Sequence, residues 1–276
     1  MDPTVSVGLL QGVFDMTDTA FLGLLNRIAA TTSIDAAWDL ATGFFASRGF
    51  QRVNYGFTRF RHLTTIGDPD DALFLSTCDP EYVKGYFRGG FYARTPVFRW
   101  AERSSGICTW AWVKDAYEAG RLAPDEAEAV RRNAAMGVFA GISVSFPAVS
   151  ARSKGALGLI ADPGLTHDDV ERVFAAGKDE ILAVANMMHL TIVHLPQLSR
   201  HRALSPRQRE ALEWVADGKT TQDVALLMGV SPAMVEKHLR LAREALAVET
   251  TAQAVAKGAL LNMIFQRGPE LAQAAH

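Results

Sequence analysis

Four cations, Lys219, Lys237, Arg240 and Arg243, sit within one short stretch, together with Thr220, Ser231, Ala233 and Glu236. Cationic side chains so placed can pair with phosphate oxygens, and residues projecting from a helix beside them can read base edges, a chemistry that suits double-stranded DNA if the surrounding elements form the right scaffold. Helical spacing sorts them. Val235 and Leu239 point inward, so Ala233, Glu236, Lys237 and Arg240 point out, with Ser231 at the helix start and Lys219, Thr220 and Arg243 near phosphates. Between Arg200 and Arg243 there are eight basic residues against five acidic ones, a local excess of three. That surplus suits a modest phosphate-contacting face, doubled in a dimer.

The elements that must hold these residues announce themselves by their starts. The stretch LSPRQREALEWVADGKTTQDVALLMGVSPAMVEKHLRLA opens with Ser205-Pro206 and Gln208, an N-cap, a proline at the first helical position and a capping-box partner. A similar pattern recurs at Thr220 with Asp223 and at Ser231-Pro232. Repeated starts in so short a span mean short helices joined by tight turns. Val224 and Met228 face inward, Ala225 lets a crossing helix approach, Gly229 makes the turn, and Val235 and Leu239 pack the second helix back. The spacing predicts a helix-turn-helix.

The positions Leu204, Ser205, Arg207, Glu210, Leu212, Trp214, Ala216, Gly218-Lys219-Thr220, Val224-Ala225, Leu227, Ser231, Val235, His238-Leu239 and Leu246 resemble the C-terminal DNA-binding module of LuxR-type transcriptional regulators. Ala245 departs from the lysine usual in that family, which removes one basic contact. A looser resemblance, to the N-terminal domain of the quorum-sensing members, covers roughly Thr19 to Leu195. It rests on FYARTPVFRW, CTW and MGVFAGISVSFP, with Pro96, Trp110, Gly141 and Pro147 as landmarks. The resemblance implies an α/β/α domain binding an acyl-homoserine lactone between a sheet and a helical layer.

Three polar ligand contacts implied by that resemblance are altered. Tyr82 stands where the family has a tryptophan, so a donor remains with a different reach. Thr95, before Pro96, replaces the aspartate that accepts from the ligand amide; exchanging a charged acceptor for a neutral hydroxyl weakens such a ligand about tenfold. Cys78, a poor donor, replaces a tyrosine, and Tyr86, four residues after Tyr82, can share its helical face. The apolar half is retained: Phe74, Phe98, Trp110 and Val138 can wall a slot, and Gly158 leaves space beside it. Many of these aromatic residues are also the natural core of such a domain.

Composition sets the remaining bounds. At 276 residues and 49% hydrophobic content the chain can build one or two domains with substantial cores, and its formal net charge of −2 leaves DNA binding to local charge. Two cysteines, Cys78 and Cys108, are too few for a disulfide framework and read as packing residues. The N-terminus lacks the cationic start and cleavage site of a signal peptide, and the longest apolar stretch, Ile181 to Leu195, is broken by Asn186, His189 and His194. A cytoplasmic protein with no membrane partner is expected. His189 and His194 are five apart, unlike a metal pair, and His238 leans inward as a structural residue. Neither a metal nor any other cofactor is expected beyond a small apolar ligand such as an acyl-homoserine lactone.

Along the N-terminal part, Trp38, Leu40, Ala41, Phe44 and Phe45 mark a helix from Asp35 stopped by Gly49. Val53 to Phe60 alternates as a strand, Ala72 to Ser76 offers a second, and a helix starts at Asp79 or Pro80 and runs through Tyr82, Tyr86 and Phe87. A helix near Pro124 to Met136, strands at Gly141 to Phe146 and Gly155 to Ala161, and a long helix from Thr166 ending by Leu195 complete an α+β sandwich with an antiparallel sheet. The expected layout is a sensory and dimerisation domain over 19–195, a polar linker over 196–203, and an all-α helix-turn-helix module over 204–266. The chain carries no nucleophile elbow, P-loop, HExxH helix or dinucleotide-binding glycine motif, so no enzyme is expected. Two readings stand: a ligand-responsive regulator binding a two-fold-symmetric operator as a homodimer, or a regulator whose N-terminal domain is a ligand-independent dimerisation or protein-interaction module.

Overall fold

Aromatic and β-branched residues alternate with small ones along Arg52–Thr58, and this segment forms β1. Four further strands join it: β2 (Leu73–Ser76), β3 (Gly106–Thr109), β4 (Gly141–Ser145) and β5 (Lys154–Ile160), in the order β2-β1-β5-β4-β3. Every neighbouring pair is antiparallel. The computed structural model describes residues 18–62, 66–196 and 203–265, which divide into one unit ending at Ile192 and another beginning at Val193. Within the first unit the expected α+β sandwich with its antiparallel sheet is present.

One sheet face is covered by α1 (Asp18–Ala29), α2 (Ile34–Ala46) and α7 (His167–His194). Ser33 caps α2 by accepting from the Ala36 N–H, and the helix buries Ala37, Trp38, Ala41, Phe44 and Phe45. Val53, Tyr55 and Phe57 meet this layer. Tyr55 packs on Trp38, its hydroxyl hydrogen-bonds His189 Nδ1 at 2.8 Å, and the His189 ring stacks on Phe146 at 4.0 Å. Burial pushes the Tyr55 phenol well above its ordinary pKa, so it stays neutral. Helix α7 starts on a reciprocal cap in which Thr166 N and Oγ1 both donate to Asp169 Oδ2, at 2.8 and 2.7 Å, while Asp169 N donates to Thr166 Oγ1. Its regular dihedrals break at Gly177, which kinks it.

The other face is covered by α3 (Pro80–Val83) with its continuation Lys84–Arg88, α4 (Pro96–Arg103), α5 (Ala111–Glu118) and α6 (Pro124–Ala135). The structure differs locally from the sequence expectations in three places. The first strand ends at Thr58 rather than Phe60, because the Thr58 hydroxyl donates to Ile66 O at 2.7 Å and accepts from Phe60 N, turning the chain. The helix from Pro80 does not run on as α-helix but passes into a π turn over Lys84–Arg88. Strand β3, a four-residue edge strand, and helix α5 after it are not expected from the sequence.

The second unit contains α8 (Pro206–Ala216), α9 (Thr221–Met228), α10 (Pro232–Leu246) and α11 (Thr251–Leu260). Ser205, Thr220 and Ser231 are N-caps as their spacing predicts, and Thr250 with Gln253 makes a fourth start. Ala211, Leu212, Val224, Ala225, Met228, Val235, Leu239, Ala242, Leu246 and Ala254 form its core. Of the expected linker, 197–202 lies outside the described residues, as do residues 1–17 and the last residue of the expected module, 266.

Candidate ligand cavity and nucleic-acid interface

Strand register brings residues from all five strands onto the open sheet face in rows. Ser76, Asn54, Gly158, Ser143 and Cys108 stand side by side in one row, and Phe74, Gly56, Ala156, Ser145 and Gly106 in the next. Gly56, Ala156 and Gly158 carry little or no side chain, so the centre of the face is concave. Above it lies a cavity of about 310 Å³. That volume is at the small end of ligand sites.

Aromatic residues from the covering helices make its far wall. The π turn advances the chain so that Tyr86 stacks on Tyr82, with ring centroids 5.2 Å apart and planes 14° from parallel. Phe74 meets Phe87 at 4.5 Å and Tyr92 meets Phe98 at 4.8 Å. Trp110 closes another side with Val113, Val138 and Ile160. Its indole N–H donates to Ser143 Oγ at 2.9 Å, and its backbone N–H donates to Gly141 O. Only glycine fits at position 141: a Cβ there would lie 2.3 Å from Leu159 O and 3.0 Å from the Trp110 ring.

Polar atoms in the cavity are few. Ser76 Oγ donates to Asn54 Oδ1 at 2.7 Å, and the Asn54 side chain also hydrogen-bonds the Tyr82 hydroxyl. Burial raises the Tyr82 phenol far above its usual range and the Tyr86 phenol to about 12, although a hydrogen bond from Thr95 opposes the second shift. Both are neutral at any physiological pH. Thr95 is the N-cap of α4 and is almost completely buried.

Of the residues singled out in the sequence, Phe74, Tyr82, Tyr86, Thr95, Phe98, Trp110, Val138 and Gly158 line this cavity together. Cys78 does not line it. It packs behind, against the cluster of Trp110, Val113, Val138 and Ile160, and burial raises its thiol pKa. The polar floor residues Asn54 and Ser143 were missed, although each sits on the cavity side of a period-two strand. Their signal is the strand alternation itself, readable only once the register shows which face is open. Among the described residues no group of three potential metal ligands occurs.

In the second unit, Thr220 caps α9 through Asp223, and Gly229, in the left-handed region at φ 64°, turns the chain into α10. The Thr221 hydroxyl donates to Glu236 Oε1 at 2.9 Å, fastening the start of α9 to α10. Lys219, Thr220, Ser231, Ala233, Glu236, Lys237 and Arg240 are exposed. Arg243 is half-buried and donates to Thr251 Oγ1 at 2.9 Å, while Arg240 pairs with Glu244 at 2.5 Å. The hydroxyl of Ser231 accepts from Met234 N, which commits it to the cap. Between Ser231 and Arg240, Ala233 and Lys237 are exposed on the outer side of α10. No helix among the described residues is long and apolar enough to cross a membrane.

Residues 33–192 match the autoinducer binding domain family, and residues 198–246 match sigma-70, region 4. The chain is 27% identical over 226 residues to the transcriptional activator protein SolR of Ralstonia nicotianae, covering 78% of this chain and 86% of SolR. It is 26% identical over 197 residues to the HTH-type quorum sensing-dependent transcriptional regulator VjbR of Brucella abortus, covering 70% and 74% respectively. Among solved structures it is similar to Escherichia coli SdiA, with 17% identity, a TM-score of 0.46 and coverage of 90% of this chain and 99% of SdiA.

Proposed function

The chain belongs to the autoinducer binding domain family, and from that premise we propose that it is a LuxR-type, DNA-binding transcriptional regulator controlled by a small apolar signal, an acyl-homoserine lactone or a related molecule. The observation that carries this reading is the walled cavity between the sheet and α3 to α6, into which eight residues picked out by their place in the sequence converge. A dry, packed interior would have favoured the ligand-independent module. Relatives described as a transcriptional activator and as a quorum sensing-dependent regulator support the same reading.

In this account residues 19–195 sense and dimerise, 196–203 link, and 204–266 bind DNA. The ligand enters the cavity and stabilises the first unit by mass action. The α10 face carrying Ser231, Ala233, Glu236, Lys237 and Arg240 enters the major groove, with Lys219, Thr220 and Arg243 near phosphates. A cytoplasmic homodimer then reads a two-fold-symmetric operator. Regulation, not catalysis, is the task.

A thermal-shift series with acyl-homoserine lactones of varied chain length, run beside gel shifts on duplex DNA, tests it. A raised melting temperature with at least one of them and retarded DNA are expected; no shift across the series sinks the lactone, and free DNA throughout sinks the regulator.

A further inference from the structure

Three charged side chains, Glu236, Lys237 and Arg240, are exposed on the outer side of α10, and they are held differently. Arg240 pairs with Glu244 along its own helix. Among the described residues, Glu236 is the one of the three held by another helix: its Oε1 accepts the Thr221 hydroxyl at 2.9 Å. Thr221 is the first residue of α9, and the reciprocal cap between Thr220 and Asp223 fixes that helix start. A long, flexible side chain is thus aimed before any partner arrives.

A carboxylate has the wrong charge for a surface that meets DNA. Lys237 and Arg240 on the same helix gain from phosphates, whereas Glu236 is repelled by them and lowers affinity unless a donor answers it. In the major groove guanine shows only the acceptors N7 and O6, and thymine the acceptor O4 and a methyl group. Adenine shows its N6 amino group beside the acceptor N7, which opposes a carboxylate. Cytosine shows its N4 amino group with no acceptor of its own. One oxygen of Glu236 serves Thr221, and the other takes no hydrogen bond from the described residues, so it is open to such a donor.

We propose that Glu236 is a specificity-determining residue that selects cytosine, its open carboxylate oxygen accepting from the N4 amino group in the major groove, with Thr221 as the positioning residue that aims it. This rests on the reading of the second unit as a DNA-binding module and names what that module reads at one base pair. Attraction and exclusion act together. Cytosine gains a charge-assisted hydrogen bond, while guanine or thymine in its place leaves a desolvated carboxylate facing acceptors.

The test is selection of duplexes from a randomised library by the full chain, with and without N-octanoyl-homoserine lactone, followed by anisotropy titration of the enriched duplex and its single-pair changes. Wild type is expected to enrich a sequence with cytosine at one fixed place in each half-site, and replacing that C·G pair should weaken binding about tenfold. Glu236→Gln keeps the length of the side chain and an acceptor for Thr221, but its amide matches N6 and N7 of adenine. The preference at that pair should move from cytosine to adenine, with the other positions unchanged. Glu236→Ala should level the four bases there, while affinity for a duplex lacking the selected sequence holds or rises, because a negative charge has left the surface; a misfolded variant would lose both. Thr221→Val should reduce discrimination at that pair about threefold, and Thr221→Ser should restore it. A selected sequence that Glu236→Gln and Glu236→Ala leave unchanged, a wild-type preference other than cytosine at the pair they alter, or undiminished discrimination in Thr221→Val overturns the inference and leaves the DNA-binding reading in place. Enrichment of no sequence by the wild type in either condition overturns both.

Discussion

Trp110 and Ser143 are joined by a buried hydrogen bond, indole N–H to hydroxyl oxygen at 2.9 Å, which fixes one wall of the cavity to its floor. Removing the hydroxyl with Ser143→Ala leaves a buried N–H without an acceptor, a loss of about 1–3 kcal/mol. Urea unfolding followed by tryptophan fluorescence should show that drop; an unchanged midpoint would mean the bond contributes nothing.

Gly158 lies between Asn54 and Ser143 in the floor, and a Cβ built on it meets only Asn54 O and Trp110 Cζ2, both at 4.0 Å. A larger side chain there grows into the cavity and not into its neighbours. Gly158→Val is expected to keep or raise the melting temperature of the ligand-free protein and to abolish the shift given by any probe that binds the wild type. A retained shift would place the ligand elsewhere.

Gly141 is the opposite case, because its Cβ would sit 2.3 Å from Leu159 O. Backbone cannot yield as a flexible side chain does, so Gly141→Ala should cost about 1–3 kcal/mol by overpacking. Chemical denaturation measures it, and a loss under half a kcal/mol, about the size of a neutral surface change, would show that the strand shifts freely.

Lys237 and Arg240 are exposed on the outer side of α10. Replacing both with alanine should weaken binding to duplex DNA and reduce the slope of log affinity against log salt by about 2, one for each phosphate no longer neutralised. Fluorescence anisotropy across a potassium chloride series reads both effects. An unaltered slope would exclude these residues from the DNA backbone.

Asp169 caps α7, and the hydrogen bonds from Thr166, with Arg172 beside it, hold its carboxyl below the usual carboxylate range. A folded pKa below the unfolded one means the stabilisation is complete above the unfolded value, about 3.9, and is lost as pH falls through the folded one. Asp169→Asn should therefore be less stable than wild type at pH 7, and the gap should narrow as pH falls below about 4. A gap equal at pH 7 and pH 3 would assign the loss to packing alone.

Much of the second unit is written locally. Ser205, Thr220 and Ser231 each satisfy backbone N–H groups within three residues, and Gly229 adopts its turn without help from elsewhere, so caps and turn are visible in sequence order. The outward set on α10 follows from the inward Val235 and Leu239 by helical period. That Arg243 is tied to Thr251 and Glu236 to Thr221 could not be read, because each bond crosses between helices.

In the first unit the sequence by itself determined the main strands, the long helix from Thr166, and which aromatic residues were candidates for a wall. Only the tertiary structure decided what faces the cavity. Cys78 and Tyr82 are four residues apart, yet one packs behind and the other lines the space. Ser143 gained its partner from a strand edge 33 residues away. Thr95 reads in the sequence only as a ligand acceptor, and the fold also makes it the cap of α4, accepting from Phe98 N, and a donor to Tyr92 O. Periodicity and capping are short-range, and a chain spells them out; the partner of a hydroxyl is set by strand register and helix placement, which no local pattern contains.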